Sequence, residues 1–320
     1  MRDFDIAVEN WPIAGGFTIS RGSRTEATVV VARITSDGAS GMGECVPYAR
    51  YGESVESVVA QMQSIANDIR GGASIEDLQR LLPPGAARNA VDCALWDLEA
   101  AITGRPLYDL AGLDAPRPVV TAYTLSLGTP EAMYEAARKA ARRPLLKVKL
   151  GGEGDPERIA AIRKAAPDAR LIVDANEAWR DDTLAANLEA CEAAGVELIE
   201  QPLPASQDEA LARISTAIAI CADESIHDHA SLAHLPPWYG AINIKLDKTG
   251  GLTNALALQA AAHARGLTIM VGCMLGTSLG IAPALPLAQR AQFVDLDGPL
   301  LLARDRASGL RYVGSIICPC

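Results

Sequence analysis

Leu145-Leu146-Lys147-Val148-Lys149-Leu150 is an apolar run carrying two lysines one residue apart, and it ends in Gly151-Gly152. Side chains alternate along a β-strand, so Lys147 and Lys149 leave the same face of it. Two ammonium groups on one face of a buried strand require anions opposite them. The surroundings of this run decide the fold. Short apolar runs begin at Val119, Leu145, Arg170, Val196, Ile218, Gly240, Leu267 and Phe293, 22 to 27 residues apart, with helical stretches such as Pro130 to Ala141 and Leu252 to Ala264 between them. Eight strands alternating with helices at this period predict a parallel α/β barrel.

Residues 1–113 have another texture. Thr28 to Ile34 is a β-branched run, Asp37-Gly38 reads as a turn, and Gly41-Met42-Gly43-Glu44 opens the next segment, which together predict an antiparallel meander after a glycine-rich, loop-rich beginning. Val55 to Arg70 and Ala86 to Ala101 show helical spacing, and Gly104-Arg105-Pro106 stops the second helix. The first third is therefore read as an α+β domain.

Composition narrows the classes of function. Asp and Glu outnumber Lys and Arg 39 to 29, a net charge of -10, which disfavours nucleic acid and anionic membranes as partners. No apolar run is long enough to span a bilayer, and Met1-Arg2-Asp3-Phe4-Asp5 offers no signal core. The seven cysteines, Cys45, Cys93, Cys191, Cys221, Cys273, Cys318 and Cys320, are odd in number and lack a metal-binding spacing, which predicts a reducing cytoplasm; Cys318-Pro319-Cys320 reads as a tail. An anionic substrate then needs a local cationic site.

In a barrel of this kind the working residues stand at the C-terminal strand ends. The third run, Leu171-Ile172-Val173, ends in Asp174-Ala175-Asn176; the fourth, Leu198-Ile199, in Glu200-Gln201-Pro202; the fifth, Ala219 to Ala222, in Asp223-Glu224-Ser225. Three successive strands each deliver a carboxylate to one rim. Such acids repel unless a cation holds them, and an all-oxygen set suits a hard divalent ion, so Asp174, Glu200 and Asp223 are expected to bind Mg²⁺. The sixth run ends in Lys245, across the barrel axis from Lys149. Neighbouring lysines, Lys147 among them, and a divalent cation are expected to lower an ammonium pKa enough to supply a base. His227 and His229, flanking Asp228, read as surface histidines, and no Gly-x-Ser-x-Gly elbow is present.

The stations Lys147-Val148-Lys149, Asp174-x-Asn176, Glu200-Gln201-Pro202, Asp223-Glu224-Ser225 and Lys245 resemble the enolase superfamily, and within it the dipeptide epimerases of the muconate-lactonizing subgroup. The likeness extends to Arg21-Gly22-Ser23-Arg24, Tyr51-Gly52-Glu53-Ser54 and Asp295-Leu296-Asp297-Gly298-Pro299. It implies a modified TIM barrel, (β/α)7β, over 114–297, an N-terminal α+β capping domain over 1–113, and a C-terminal segment, 298–320, returning to the cap. It further implies one Mg²⁺ per subunit, Asn176 and Glu224 standing behind its ligands, and a 1,1-proton transfer through an enediolate. Lys149 would serve the L isomer and Lys245 the D isomer of the C-terminal residue of L-Ala-D-Glu or L-Ala-L-Glu, in the reuse of cell-wall peptides. A homo-oligomer is a superfamily expectation.

Specificity is read from other residues. Asp295 and Asp297 lie two apart at the end of the last strand, on one face, and can hold an ammonium; by resemblance it is the free amino group of the dipeptide. Arg24, in a cap loop beside Arg21, offers a guanidinium matched to a carboxylate, and the resemblance makes it the reader of the Glu side chain, with Thr124 at the end of the first strand as helper. Gly22 and Gly52 are expected to lie in a mobile lid. Other dipeptides, an N-acylamino acid racemase or dehydratase reaction on the same barrel, and a non-catalytic barrel binding an acidic peptide stay open at this stage.

Overall fold

A computed structural model of the protein describes residues 2–319, so Cys320 lies outside it. The cap begins with an antiparallel meander of β1 (Asp3–Ile19), β2 (Gly22–Ser36) and β3 (Ala39–Cys45). The loop-rich beginning expected from sequence is thus a long strand. Its glycines mark an irregularity inside it: the register with β2 shifts between Pro12 and Phe17, where Gly15 (φ 76°) and Gly16 (φ 93°) adopt left-handed backbone that side chains disfavour.

Four helices cover the meander: α1 (Val55–Ser64), α2 (Ala66–Arg70), α3 (Ile75–Leu81) and α4 (Ala86–Thr103). Ser54 and Ser74 cap α1 and α3 by accepting the backbone N–H three residues on. The expected single helix from Val55 to Arg70 is broken at Ile65, and α3 was not expected. Small residues bring α4 onto β3: a Cβ at Gly43 would overlap the Ala90 carbonyl. Val91, Ala94, Leu95 and Leu98 complete a cap core with Val30, Ala32 and Ile34 of β2.

After α5 (Leu107–Leu110) the chain crosses to the barrel. The expected first run is divided. β4 (Val119–Val120) pairs antiparallel with the C-terminal β14 (Ile316–Cys318), which is hairpinned to β13 (Arg311–Val313), and the first barrel strand is β5 (Tyr123–Leu125). The parallel sheet continues through β6 (Leu145–Lys149), β7 (Arg170–Asp174), β8 (Val196–Glu200), β9 (Ala219–Ala222), β10 (Ala241–Ile244), β11 (Thr268–Gly272) and β12 (Phe293–Asp295). The Ala122 N–H donates to Val294 O at 2.7 Å and joins the last strand to the first. Helices α6 (Pro130–Ala140), α7 (Asp155–Ala165) and α8 (Asp181–Ala193) follow β5, β6 and β7; the short α9 (His229–Leu232) follows β9, and α10 (Leu246–Thr249) and α11 (Leu252–Ala264) follow β10.

One layer plugs the barrel with Ala122, just before β5, and one buried residue from each later strand: Leu145, Ile172, Leu198, Cys221, Ala241, Met270 and Phe293. The period of two then dictates what stands above it. Two residues past the plug come Lys147, Asp174, Glu200, Asp223, Asn243 and Asp295; four past it come Lys149, Lys245 and Asp297. The alternate residues, such as Leu146, Val148 and Val173, face the helices and form the large outer core. Beyond β12, Leu302 bridges to Ile13 and Arg306 pairs with Glu9 and Glu44 at 2.7 and 2.8 Å, so this stretch touches β1 and β3 of the cap.

Candidate active site

The inward-facing charges meet in a cavity of about 480 Å³ between barrel mouth and cap, lined in part by Arg24, Thr124, Lys147, Lys149, Asp223, Lys245, Asp295 and Asp297. Lys149 Nζ donates to Asp174 Oδ2 and Lys245 Nζ to Asp223 Oδ2, each at 2.6 Å. Their strands, β6 and β10, are separated by β7, β8 and β9 in the closed sheet, so the two lysines rise from opposite walls. Lys147 Nζ bridges between them, 2.6 Å from Glu200 Oε2, 2.7 Å from Asp295 Oδ2 and 3.2 Å from Asp174 Oδ2. Asn243 Nδ2 donates to Glu200 Oε1 at 2.7 Å.

This is a buried, alternating lattice of charge. Burial works against the Lys147 and Lys245 ammonium groups, yet the facing carboxylates, Asp295 and Glu200 for the first and Asp223 and Glu200 for the second, hold both above the usual lysine range. The lowering expected from sequence therefore does not arise from the lysines alone. Burial opposes ionisation of Asp174, but Lys149 and Lys147 keep it below the usual carboxylate range. Glu200 goes the other way, raised by burial and by Asp174.

Among the described residues no three His, Cys, Asp or Glu side chains converge as a ready cage for a metal; Asp174, Glu200 and Asp223 are turned onto lysines instead. The donor set nevertheless fits a hard cation. Buried oxygens at this mouth lack a hydrogen-bond donor: Glu200 Oε2, which lies near Lys147 but off the hydrogen-bonding direction, Glu224 Oε2, Asn176 Oδ1 and Asp295 Oδ1. Asn176 at φ 46° also gives its backbone N–H to Asp174 Oδ1 at 2.9 Å.

The cap closes the other side. Arg21, at the tip between β1 and β2, donates to Asn176 O at 2.9 Å, Glu224 Oε1 at 2.8 Å and Tyr48 Oη at 2.9 Å. Arg50 grips Glu177 with two bonds of 2.6 and 2.7 Å. Arg24 is not in a loop, as expected, but on β2, paired with Phe17, its guanidinium 5.9 Å from the Tyr48 ring centre. Arg21, Arg24 and Arg50 all line the cavity, and with Arg21 paired to Glu224 and Arg50 to Glu177, Arg24 is the exposed one whose guanidinium is not committed to a rim carboxylate. Asp297 Oδ2 accepts the Thr124 backbone N–H at 2.6 Å, and burial together with Asp295 raises its pKa to about 7. Thr124 lies in the middle of β5.

Two charges at the mouth, Lys248 and Arg21, carry no role in the expectation from sequence. Lys248, 3% exposed, places Nζ 2.5 Å from Asp223 Oδ1, 2.7 Å from Asp223 O and 2.9 Å from Asn243 O. Its signal was its spacing, three after Lys245 in a single turn. Arg21 and Arg24 are alike in sequence, and only the turn geometry separates their partners. His229 is exposed, but His227 is not a surface histidine: it is half-buried with its ring 4.6 Å from that of Tyr51. The six cysteines described are free, and no helix among the described residues is long and apolar enough to cross a membrane.

Comparison with known proteins agrees with this architecture. Residues 1–112 match the mandelate racemase / muconate lactonizing enzyme N-terminal domain, and residues 132–297 the enolase C-terminal domain-like family. The chain is 50% identical over 314 residues to the L-Ala-D/L-Glu epimerase of Escherichia coli K12, covering 98% of each, and 46% identical to an N-acetyl-D-glutamate racemase of a Pseudoalteromonas species, covering 87% and 89%. Among solved structures, an Agrobacterium tumefaciens enolase family member with homology to dipeptide epimerases, bound to sodium and L-Ala-L-Glu, superposes with TM-score 0.98 at 52% identity, covering 100% of this chain and 98% of that one. A Methylococcus capsulatus dipeptide epimerase complexed with Mg and L-Arg-D-Lys follows at TM-score 0.88 and 31% identity, covering 99% and 96%. The chain belongs to the mandelate racemase / muconate lactonizing enzyme family of the enolase superfamily. It is an isomerase of the racemase and epimerase class.

Proposed function

We propose that this protein inverts the α-carbon of the C-terminal residue of a dipeptide, interconverting L-Ala-L-Glu and L-Ala-D-Glu. The observation that carries the reading is the pair of buried lysines, Lys149 and Lys245, on opposite walls of one cavity, with the rim carboxylates Asp174 and Asp223 each bonded to one of them. Asp174, Glu200 and Asp223 would hold one Mg²⁺, which when bound attracts the substrate carboxylate and offsets the charge that develops as the α-proton leaves.

The chain's own residues do the rest. Lys149 as a free amine takes the α-proton from the L isomer, and Lys245 as an ammonium gives a proton to the opposite face of the planar intermediate; the D isomer runs the same path backwards. Lys147, bridging Asp174, Glu200 and Asp295, adds positive potential at the carboxylate end of the cavity. Asp295 and Asp297 receive the free ammonium of the first residue, and Arg24 with Thr124 receives the Glu side chain. Asn176 and Glu224 brace the rim beneath Arg21, and the tip around Gly22 with the turn at Gly52 covers the bound dipeptide and excludes water. Such a dipeptide arises from cell-wall peptides, and the protein would serve their recycling in the cytoplasm.

The experiment is incubation with L-Ala-L-Glu and Mg²⁺ followed by chiral chromatography. Formation of L-Ala-D-Glu supports the proposal. Racemisation of N-acetyl-glutamate in place of dipeptide conversion would favour the second reading, which the N-acetyl-D-glutamate racemase relative motivates.

A further inference from the structure

The two lysines at the mouth are braced by different parts of the molecule. The turn after Lys149 is fixed within the barrel: Asp155 accepts the N–H of Gly151 at 3.0 Å, that of Gly152 at 2.7 Å and Trp179 Nε1–H at 2.8 Å. The turn after Lys245 is tied to the barrel through Lys248 and, in addition, to the cap. Arg88 of α4 donates to Thr249 O at 2.9 Å and to Gly250 O at 3.1 Å, and Asn89 Nδ2 donates at 3.0 Å to Asp247 Oδ1.

A guanidinium that is 3% exposed, with carbonyls as its hydrogen-bond partners, is a costly group to bury. Its place explains it. The last carbonyls of a helix have no partner within the helix, and a cation there also complements the helix dipole. Lys245 is the N-cap of α10, a single turn, so whatever holds the far end of that turn also sets the direction of Lys245. Gly250 and Gly251, at φ 73° and 109°, leave room for Arg88 and Asp92 to approach.

We propose that Arg88 and Asn89 are positioning residues for Lys245, so that the cap helix holds the turn that carries one proton-transfer lysine, while residues of the barrel hold the turn that carries the other. This rests on the dipeptide epimerase reading. In the balanced step Lys149 gains the α-proton as Lys245 loses one to the opposite face, and solvent restores both lysines. With Lys245 misaligned, Lys149 still removes the proton and returns a solvent-derived one to the same face.

The test follows Asn89→Ala, Arg88→Met and Arg88→Lys in D₂O with Mg²⁺ and L-Ala-L-Glu, measuring deuterium at the Glu α-carbon by mass spectrometry and L-Ala-D-Glu by chiral chromatography. Inversion is expected to fall about tenfold to a hundredfold in Asn89→Ala and Arg88→Met, while α-deuteration of L-Ala-L-Glu stays near the wild-type rate and Arg88→Lys recovers part of the inversion. A parallel fall in both, or a fall in neither, overturns the proposal. Thermal melting identifies folded variants, and Asn89→Ala, the smaller change, decides if Arg88→Met does not fold. Absence of any exchange in the wild type would instead overturn the dipeptide reading itself.

Discussion

Lys149 faces Asp174 across the register of β6 and β7, with 2.6 Å between Lys149 Nζ and Asp174 Oδ2. One backbone register thereby sets a base candidate beside a metal-ligand candidate, and a cation bound at the carboxylate would compete with the lysine for it. Mg²⁺ should therefore stabilise the wild type, by about 2.7 kcal/mol at a hundred times its Kd, and should release Lys149. Asp174→Asn is expected to lose that Mg²⁺-dependent rise in melting temperature. An unchanged rise in the variant would remove Asp174 from the metal site.

Lys149→Met and Lys245→Met should each lower inversion by about 10²- to 10⁴-fold. Their residual exchange should be mirror images. In D₂O, Lys245→Met is expected to deuterate L-Ala-L-Glu without inverting it, and Lys149→Met to do so with L-Ala-D-Glu. Mass spectrometry of the recovered isomers reads this directly, and identical behaviour of the two variants would exclude a two-base path.

Much of this site was legible in sequence because a barrel strand has period two and ends at a fixed face. Once Leu145, Lys147 and Lys149 share a face, the places of Asp174, Glu200 and Asp223 follow from the same period on the next strands. What was not legible depends on pairing partners distant in the chain. Val119-Val120 looks like a barrel strand, but its partner is Ile316-Ile317, and no local pattern says so. β1 was hidden because its outer residues, such as half-exposed Val8, give it little apolar alternation and its glycines mimic a loop. Arg24 and Arg21 are chemically alike and both line the cavity; the hairpin turn commits Arg21 to Glu224 on the rim and leaves Arg24 on β2.

Asp297 predicts a pH dependence. Burial and Asp295 raise its pKa to about 7, so the carboxylate is ionised above that pH and becomes neutral below it. Its attraction for a substrate ammonium should be lost as pH falls through about 7. The KM for L-Ala-L-Glu is expected to rise on the acid side of neutrality, and Asp297→Asn should show a high KM with that acid-side rise removed. A wild-type KM flat from pH 8 to 6, measured by initial rates, would contradict the assignment.

Arg24→Leu should raise KM for L-Ala-L-Glu about tenfold to a hundredfold, the worth of a charged hydrogen bond, with a much smaller change in kcat. Against a dipeptide ending in an uncharged residue the same variant should lose little. Equal losses on both substrates would mean that Arg24 supports the hairpin rather than reading the side chain.

The most direct measurement is proton NMR of L-Ala-L-Glu in D₂O with the folded protein and Mg²⁺. The expected result is loss of the Glu α-proton signal together with growth of the L-Ala-D-Glu resonances. If both stay unchanged over hours at high protein concentration, Lys149 and Lys245 do not act as paired bases on this dipeptide, and the central claim fails.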